Sequence, residues 1–256
     1  MEPFPTTTKL KREHFRLFPK GYWAPAVKDV SKVGDADANA IYQAMGYALV
    51  AWESLEDLLA SLFLYIAESN DPHMSTLLSR TFGSIESSSA RREVLKARMQ
   101  VYLHRWWDME EVVWLVEELM VALRVAAQRR NEIAHGLTVR FHPAPVDADG
   151  ERAYQPSGVY LLSPRYMTGR NESVPKPPEA DPLWVITSKY CYVARDILLM
   201  AEKFNNLRQA ASKYFNKLRK GADGVPVIVN EILRARASYE AHRAALSSHR
   251  RSKLPS

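Results

Sequence analysis

Cysteine is almost absent: Cys191 is the only one among 256 residues. No internal disulfide can form, and the chain suits a reducing compartment. Glycine totals 10 and nowhere gathers into a phosphate-cradling loop, which argues against a mononucleotide-binding fold. No Gly-x-Ser-x-Gly turn is present for a serine hydrolase. Neither His-Glu-x-x-His nor paired cysteines occur, so no metal and no cofactor are expected. The stretch Asp35-Ala36-Asp37-Ala38-Asn39 begins like a calcium loop. Ala40 and Gly46, however, stand where that loop needs its turn glycine and its bidentate glutamate. Long apolar runs are lacking too. The greasiest segment, 41–67, is broken by Glu53, Glu56 and Asp57, which argues against a membrane span. Met1-Glu2-Pro3-Phe4-Pro5 has no basic stretch leading into an apolar core, so no secretory signal is expected and a cytoplasmic location is.

What is present is a hydrophobic content of 46%, enough for a sizeable core and too much for a disordered chain. The net charge of +6 is unevenly spread: 7 Lys/Arg against 3 Asp/Glu over 1–33, 16 against 22 over 34–200, and 12 against 4 over 201–256. Basic ends around an acidic middle are compatible with a polyanionic partner, and equally with tails that keep a protein in solution.

Residues 1–34 mix proline, lysine and aromatics without periodicity and read as an N-terminal arm. From there Ile41, Met45, Ala48, Trp52, Leu55, Leu59, Leu62 and Ile66 recur at alternating intervals of four and three, the mark of a long amphipathic helix. Asp35 or Asp37 can cap its start, and Asn70-Asp71-Pro72 closes it. A short helix is expected over 72–82, and a longer one carrying Leu95, Met99, Tyr102 and Trp106. Asp108 can cap a third long helix whose stripe is Val112, Val116, Leu119, Leu123 and Ala126, with Gly136 as a left-handed C-cap. Residues 137–141 and 159–162 read as short strands, and the four prolines of 174–182 as an extended loop. Ser188 can cap a fourth long helix with the stripe Tyr190, Val193, Ile197, Met200, Phe204, Leu207, Ala211, Tyr214 and Leu218. A final helix is expected over 230–247. The pattern predicts a mainly α fold, an antiparallel helical bundle with a small β-hairpin or three-stranded excursion.

The third long helix ends Arg129-Arg130-Asn131-Glu132-Ile133-Ala134-His135-Gly136. Continued past Ala126, its apolar stripe reaches positions 130 and 133, so Arg130 falls where an apolar residue belongs. A guanidinium there demands a carboxylate, an anion or a wet cleft. Asn131 and His135 share a face, whereas Arg130 and His135 lie about 140° apart around the axis. One subunit alone does not converge them; a two-fold axis beside the helix end would. Imidazole moves protons near neutral pH, and guanidinium matches phosphate oxygens. Together they suit metal-free cleavage of RNA, in which the 2′-hydroxyl attacks the adjacent phosphorus. Arg129 and Arg140 flank the set as candidate contacts for the phosphate backbone, although surface arginines are common. Glu53 and Asp57 on the first helix could pair with Arg130 or orient His135, or could belong to a solvated face.

Arg130-Asn131-(three residues)-His135 at the end of a long helix resembles the signature of the HEPN (higher eukaryotes and prokaryotes nucleotide-binding) superfamily: an Arg, four to six residues, then a His, with a polar residue following the Arg. The helical bundle over 35–220 fits that fold; the β-rich insertion at 137–186 departs from it by interrupting the bundle, and a C-terminal helix and basic tail are read over 221–256. The resemblance implies a metal-independent endoribonuclease that dimerises around the cleft, with catalytic roles for Arg130, Asn131 and His135. It also implies a setting in toxin–antitoxin or other defence systems, with RNA as substrate and an antitoxin or defence protein as a candidate partner. Where some members carry Tyr two positions after the His, this chain has Leu137. Two rival readings stay open. The Arg, His and Gly can simply finish a helix, and the chain can be a non-catalytic helical module that binds a protein or a nucleotide.

Overall fold

In the computed structural model of the chain, the described residues are 17–19, 21–24, 33–67, 71–106, 110–141, 157–164 and 188–218. They are mainly helical: α1 (Ala38–Ile66), α2 (Pro72–Gly83), α3 (Ser88–Trp106), α4 (Glu110–His135) and α5 (Ala194–Leu218), with strands β1 (Leu137–Phe141), β2 (Gly158–Leu162) and β3 (Cys191–Tyr192) between α4 and α5. Most of the N-terminal arm, Asp108, the 174–182 loop and the helix expected over 230–247 lie outside the described residues. Among those described, no helix is long and apolar enough to cross a membrane.

They form two compact units. The first gathers described residues of Met1–Pro19, Leu59–Ala122 and Ala210–Ser256, the second those of Lys20–Leu58 and Leu123–Gln209. In the first unit, Phe63 stacks on Phe82 with centroids 4.5 Å apart, and Tyr65 meets Phe215 edge-on at 5.3 Å. Leu95, Met99 and Tyr102 are buried as their spacing predicts. Asp71 caps α2, accepting from the His73 N–H at 2.9 Å, with Pro72 at the first helical position, where a missing N–H costs nothing.

In the second unit the α1 stripe is buried at Ile41, Ala48, Trp52 and Leu55. Trp52 packs edge-on against Phe204 of α5, which also stacks on Trp23. The two aspartates before α1 divide the work. Asp37 caps α1, accepting from the Asn39 N–H at 3.1 Å. Asp35 pairs its backbone with Val159 and takes the Ala194 N–H, at the start of α5, onto its carboxylate at 2.6 Å. Such a cap contributes about 1 kcal/mol.

The β segments form a three-stranded antiparallel sheet in the order β1-β2-β3, with Leu137 opposite Leu162, Phe141 opposite Gly158 and Leu161 opposite Tyr192. It is less peripheral than the expected excursion, because Val159, Tyr160, Leu161 and Leu162 of the central strand are all buried. One face holds the apolar cluster of Phe141, Tyr160, Leu162, Cys191 and Val193. Leu161 on the other face meets the end of α4 at Gly136.

Two expectations are corrected here. Ser188 does not cap the fourth long helix, which starts at Ala194. Its hydroxyl bonds that of Ser163 at 2.8 Å and tethers the approach to β3 to the end of β2. Tyr190 and Val193 therefore precede α5 rather than sit on its stripe. The aromatic and β-branched run Tyr190-Cys191-Tyr192-Val193 favours a pleated strand over a helix, and all four residues are buried. Gly136 is not a left-handed C-cap, since only Gly21 and Gly158 among the described glycines have positive φ. It is small for another reason: a Cβ there would lie 2.6 Å from the Leu161 side chain.

Candidate active site

The last two turns of α4 carry the motif, and their two sides do different work. Toward the sheet, Arg129 and Glu132 are buried. Arg129 Nη1 donates to Glu132 Oε2 at 2.5 Å and to the Tyr192 hydroxyl at 3.3 Å. Tyr192 in turn donates to Glu132 Oε2 at 2.6 Å. Opposite charges three residues apart on a helix can pair, and the β3 tyrosine completes a closed network.

This corrects the burial expected from the stripe: the guanidinium fully taken out of water belongs to Arg129, while Arg130 is partly buried and has a carboxylate beside it, that of Glu53. Because the sheet packs against the flank of α4 that bears Arg129 and Glu132, the buried face turns toward them in the last two turns. A periodicity drawn from the first turns of the helix does not register that turn. The surface position expected of Arg129 is corrected with it.

On the other side, the Arg130 side chain is 32% exposed and that of Glu53 66%, with Nη2 and Oε1 3.7 Å apart. Arg130 Nη1 donates to Asn131 Oδ1 at 3.2 Å. Its Nε is buried and makes no hydrogen bond among the described residues. Asn131 and His135 are exposed, and His135 is the final residue of α4. The structure thus joins Arg130, Asn131 and Glu53. It places His135 one turn beyond Asn131 on the same side of the helix, with no hydrogen bond to another described residue. Arg140 stands apart on β1, exposed. The Asp37 carboxyl is held below the ordinary range mainly by the bonds it accepts from Asn39, and the charge of Arg140 adds a smaller lowering.

Burial pushes the Tyr192 hydroxyl well above its ordinary value of 10.0, and donation to Glu132 adds to the rise. On α5, Lys203 is lowered, first by burial and then by the charge of Arg129, and its ammonium lies 5.3 Å from the centre of the Tyr22 ring. The unfolded Tyr192 phenol ionises near 10 while the folded one keeps its proton, so its contribution is intact below pH 10 and shrinks as pH rises above it. The stability gap between wild type and Tyr192→Phe, measured by urea denaturation, should narrow from pH 10 upward and stay constant between pH 7 and 9.

Glu132 and Tyr192 were not singled out by sequence reasoning. The i,i+3 spacing of Arg129 and Glu132 was a usable signal, but nothing local to Tyr192 marks its partner 60 residues away. Among the described residues, no group of three His, Cys, Asp or Glu side chains is placed to hold a metal ion.

Fold and site together define a mainly helical protein with a small three-stranded sheet, which bears a polar Arg–Asn–His set on the exposed side of one helix end. No family model, characterised protein or solved structure matches the chain.

Proposed function

We propose that this protein is a metal-independent endoribonuclease of the HEPN type, an antiparallel helical bundle that acts as a homodimer in the cytoplasm. A toxin or antiviral defence system is the setting we infer for it. The observation that carries this reading is the exposed side of α4: Arg130, Asn131 and His135 are all reachable from solvent, while the neighbouring Arg129 is consumed by an internal carboxylate. The Glu53–Arg130 contact is an obstacle of small size. An exposed pair at such a distance contributes at most about 1 kcal/mol, and a phosphate can displace it.

His135 is the general base or acid, Arg130 the phosphate clamp and Asn131 the group that orients the guanidinium. The base takes the 2′-hydroxyl proton, the O2′–phosphorus bond forms and the phosphorus–O5′ bond breaks. The leaving oxygen is protonated, and a 2′,3′-cyclic phosphate remains. Arg130 and His135 stand about 140° apart on one helix, so a second copy completes the cleft. The exposed Val50 of α1 stands one turn before Glu53 and offers that copy an apolar contact near Arg130.

Purified protein should cleave single-stranded RNA in chelator and leave cyclic phosphate ends. His135→Ala should reduce kcat by about 10²–10⁴-fold, the usual worth of general acid–base catalysis. A mixture of the Arg130→Ala and His135→Ala proteins should regain part of the activity, because a shared cleft can then draw an intact side from each copy. Equal cleavage by wild type and His135→Ala removes the enzymatic reading and leaves the non-catalytic helical module. The same pair expressed in cells gives a parallel readout: wild type slows growth and His135→Ala does not.

A further inference from the structure

We propose that the buried Arg129–Glu132–Tyr192 network is the positioning device of the site, setting the rotation of the last two turns of α4 so that Arg130 and His135 are correctly aimed. This rests on reading Arg130 and His135 as the RNA-cleaving pair.

A helix end is the part of a helix most prone to fray, because its last four carbonyls lack partners within the helix. This end has no left-handed glycine cap, since Gly136 is not at positive φ. What holds it is lateral. Arg129 and Glu132 project about 60° apart around the axis, and both are tied to the hydroxyl of a single β3 tyrosine, itself buried. Two anchors on one side of a rigid helix leave a single rotation. In that rotation the residues between the anchors, Arg130 and Asn131, face away from the sheet, and His135 follows one turn on.

Energy alone does not account for a polar network here. Apolar side chains of similar volume at such a site are often as stabilising as a buried ion pair. They would slide against each other, whereas a hydroxyl 2.6 Å from a carboxylate oxygen defines the register of the helix end. Arg129, Glu132 and Tyr192 touch no substrate in this scheme and act only through their neighbours.

The test is Tyr192→Phe in the full chain, which keeps the ring in the core and removes only the hydroxyl. Steady-state cleavage of single-stranded RNA should show kcat reduced about ten- to a hundredfold, the scale of a small misplacement of reacting groups. KM should change by less than kcat, because misaiming His135 and Arg130 costs most where charge and proton transfer develop, in the transition state. Amide hydrogen exchange should quicken at residues 131–135 and stay unchanged over 41–55 of α1. Unchanged exchange at 131–135 overturns the clamp, whatever the RNA result. Quickened exchange with wild-type kcat and KM also overturns it, leaving a purely stabilising network. Quickened exchange in a protein whose wild type cuts no RNA sinks the endoribonuclease reading while the clamp stands. Arg129→Lys, which keeps the charge and loses the fork, serves the same measurements should the phenylalanine variant not fold.

Discussion

Glu132→Ala should lose about 3–5 kcal/mol of folding stability, the usual cost of stranding one member of a buried ion pair. Arg129 and Glu132 are both about nine-tenths buried, and the carboxylate is the only anionic group bonded to Arg129 among the described residues. Arg129 Nε lacks a hydrogen-bond partner among the described residues, and the other acceptor of the guanidinium, the Tyr192 hydroxyl, carries no charge to replace the carboxylate. Lys203 is close enough for Arg129 to disfavour its charge, so losing Glu132 leaves the buried guanidinium with a second cation in its surroundings and no bonded anion. Urea denaturation at pH 7 measures the loss. The diagnostic companion is the double variant Arg129→Met/Glu132→Leu, which removes both charges and should recover most of it. If the single and double variants are equally destabilised, the loss comes from packing and not from an uncompensated charge.

Gly158→Ala should cost about 2–5 kcal/mol, the sum of two separate penalties. At φ +96 the backbone lies where side chains are strained, worth about 1–2 kcal/mol. A Cβ would also sit 2.7 Å from the backbone of Gly34, and overpacking costs about 1–3 kcal/mol. The neighbour cannot yield, because Gly34 and Asp35 are bonded to Ser157 and Val159 at 2.7–2.9 Å. Gly46→Ala supplies the opposite sign. Gly46 is exposed in the middle of α1 with nothing within 4 Å of a Cβ, and alanine there should gain about 1 kcal/mol from helix propensity. Thermal unfolding of both variants checks the contrast; a neutral Gly158→Ala would mean that β2 and the 34–35 segment do not meet as closely as described.

Much of the helical content was legible in order along the chain. Periodicity reports which side of a helix avoids water, and for α1 it marked Ile41, Trp52, Leu55, Leu62 and Ile66, all buried. The strand at 137–141 was legible because Gly136 and the prolines beyond Phe141 bracket a short β-prone run. The start of α5 was not legible, because Tyr190 and Val193 happen to keep the spacing of the stripe that follows. Only pairing with β2 takes them out of the helix.

The candidate site divides in the same way. Arg130, Asn131 and His135 could be placed on a helix end from spacing alone, since 100° per residue is a property of the backbone and not of the environment. Which of two adjacent arginines is taken out of water could not be read that way. The sequence by itself determined the order of the described helices, the strands β1 and β2 and the angular layout of the motif, because these follow from local patterns of side-chain type. Only the tertiary structure decided that Arg129 faces inward and Arg130 outward. That choice depends on a tyrosine 60 residues along the chain and on a sheet that packs against one flank of α4, and neither leaves a trace in the local pattern.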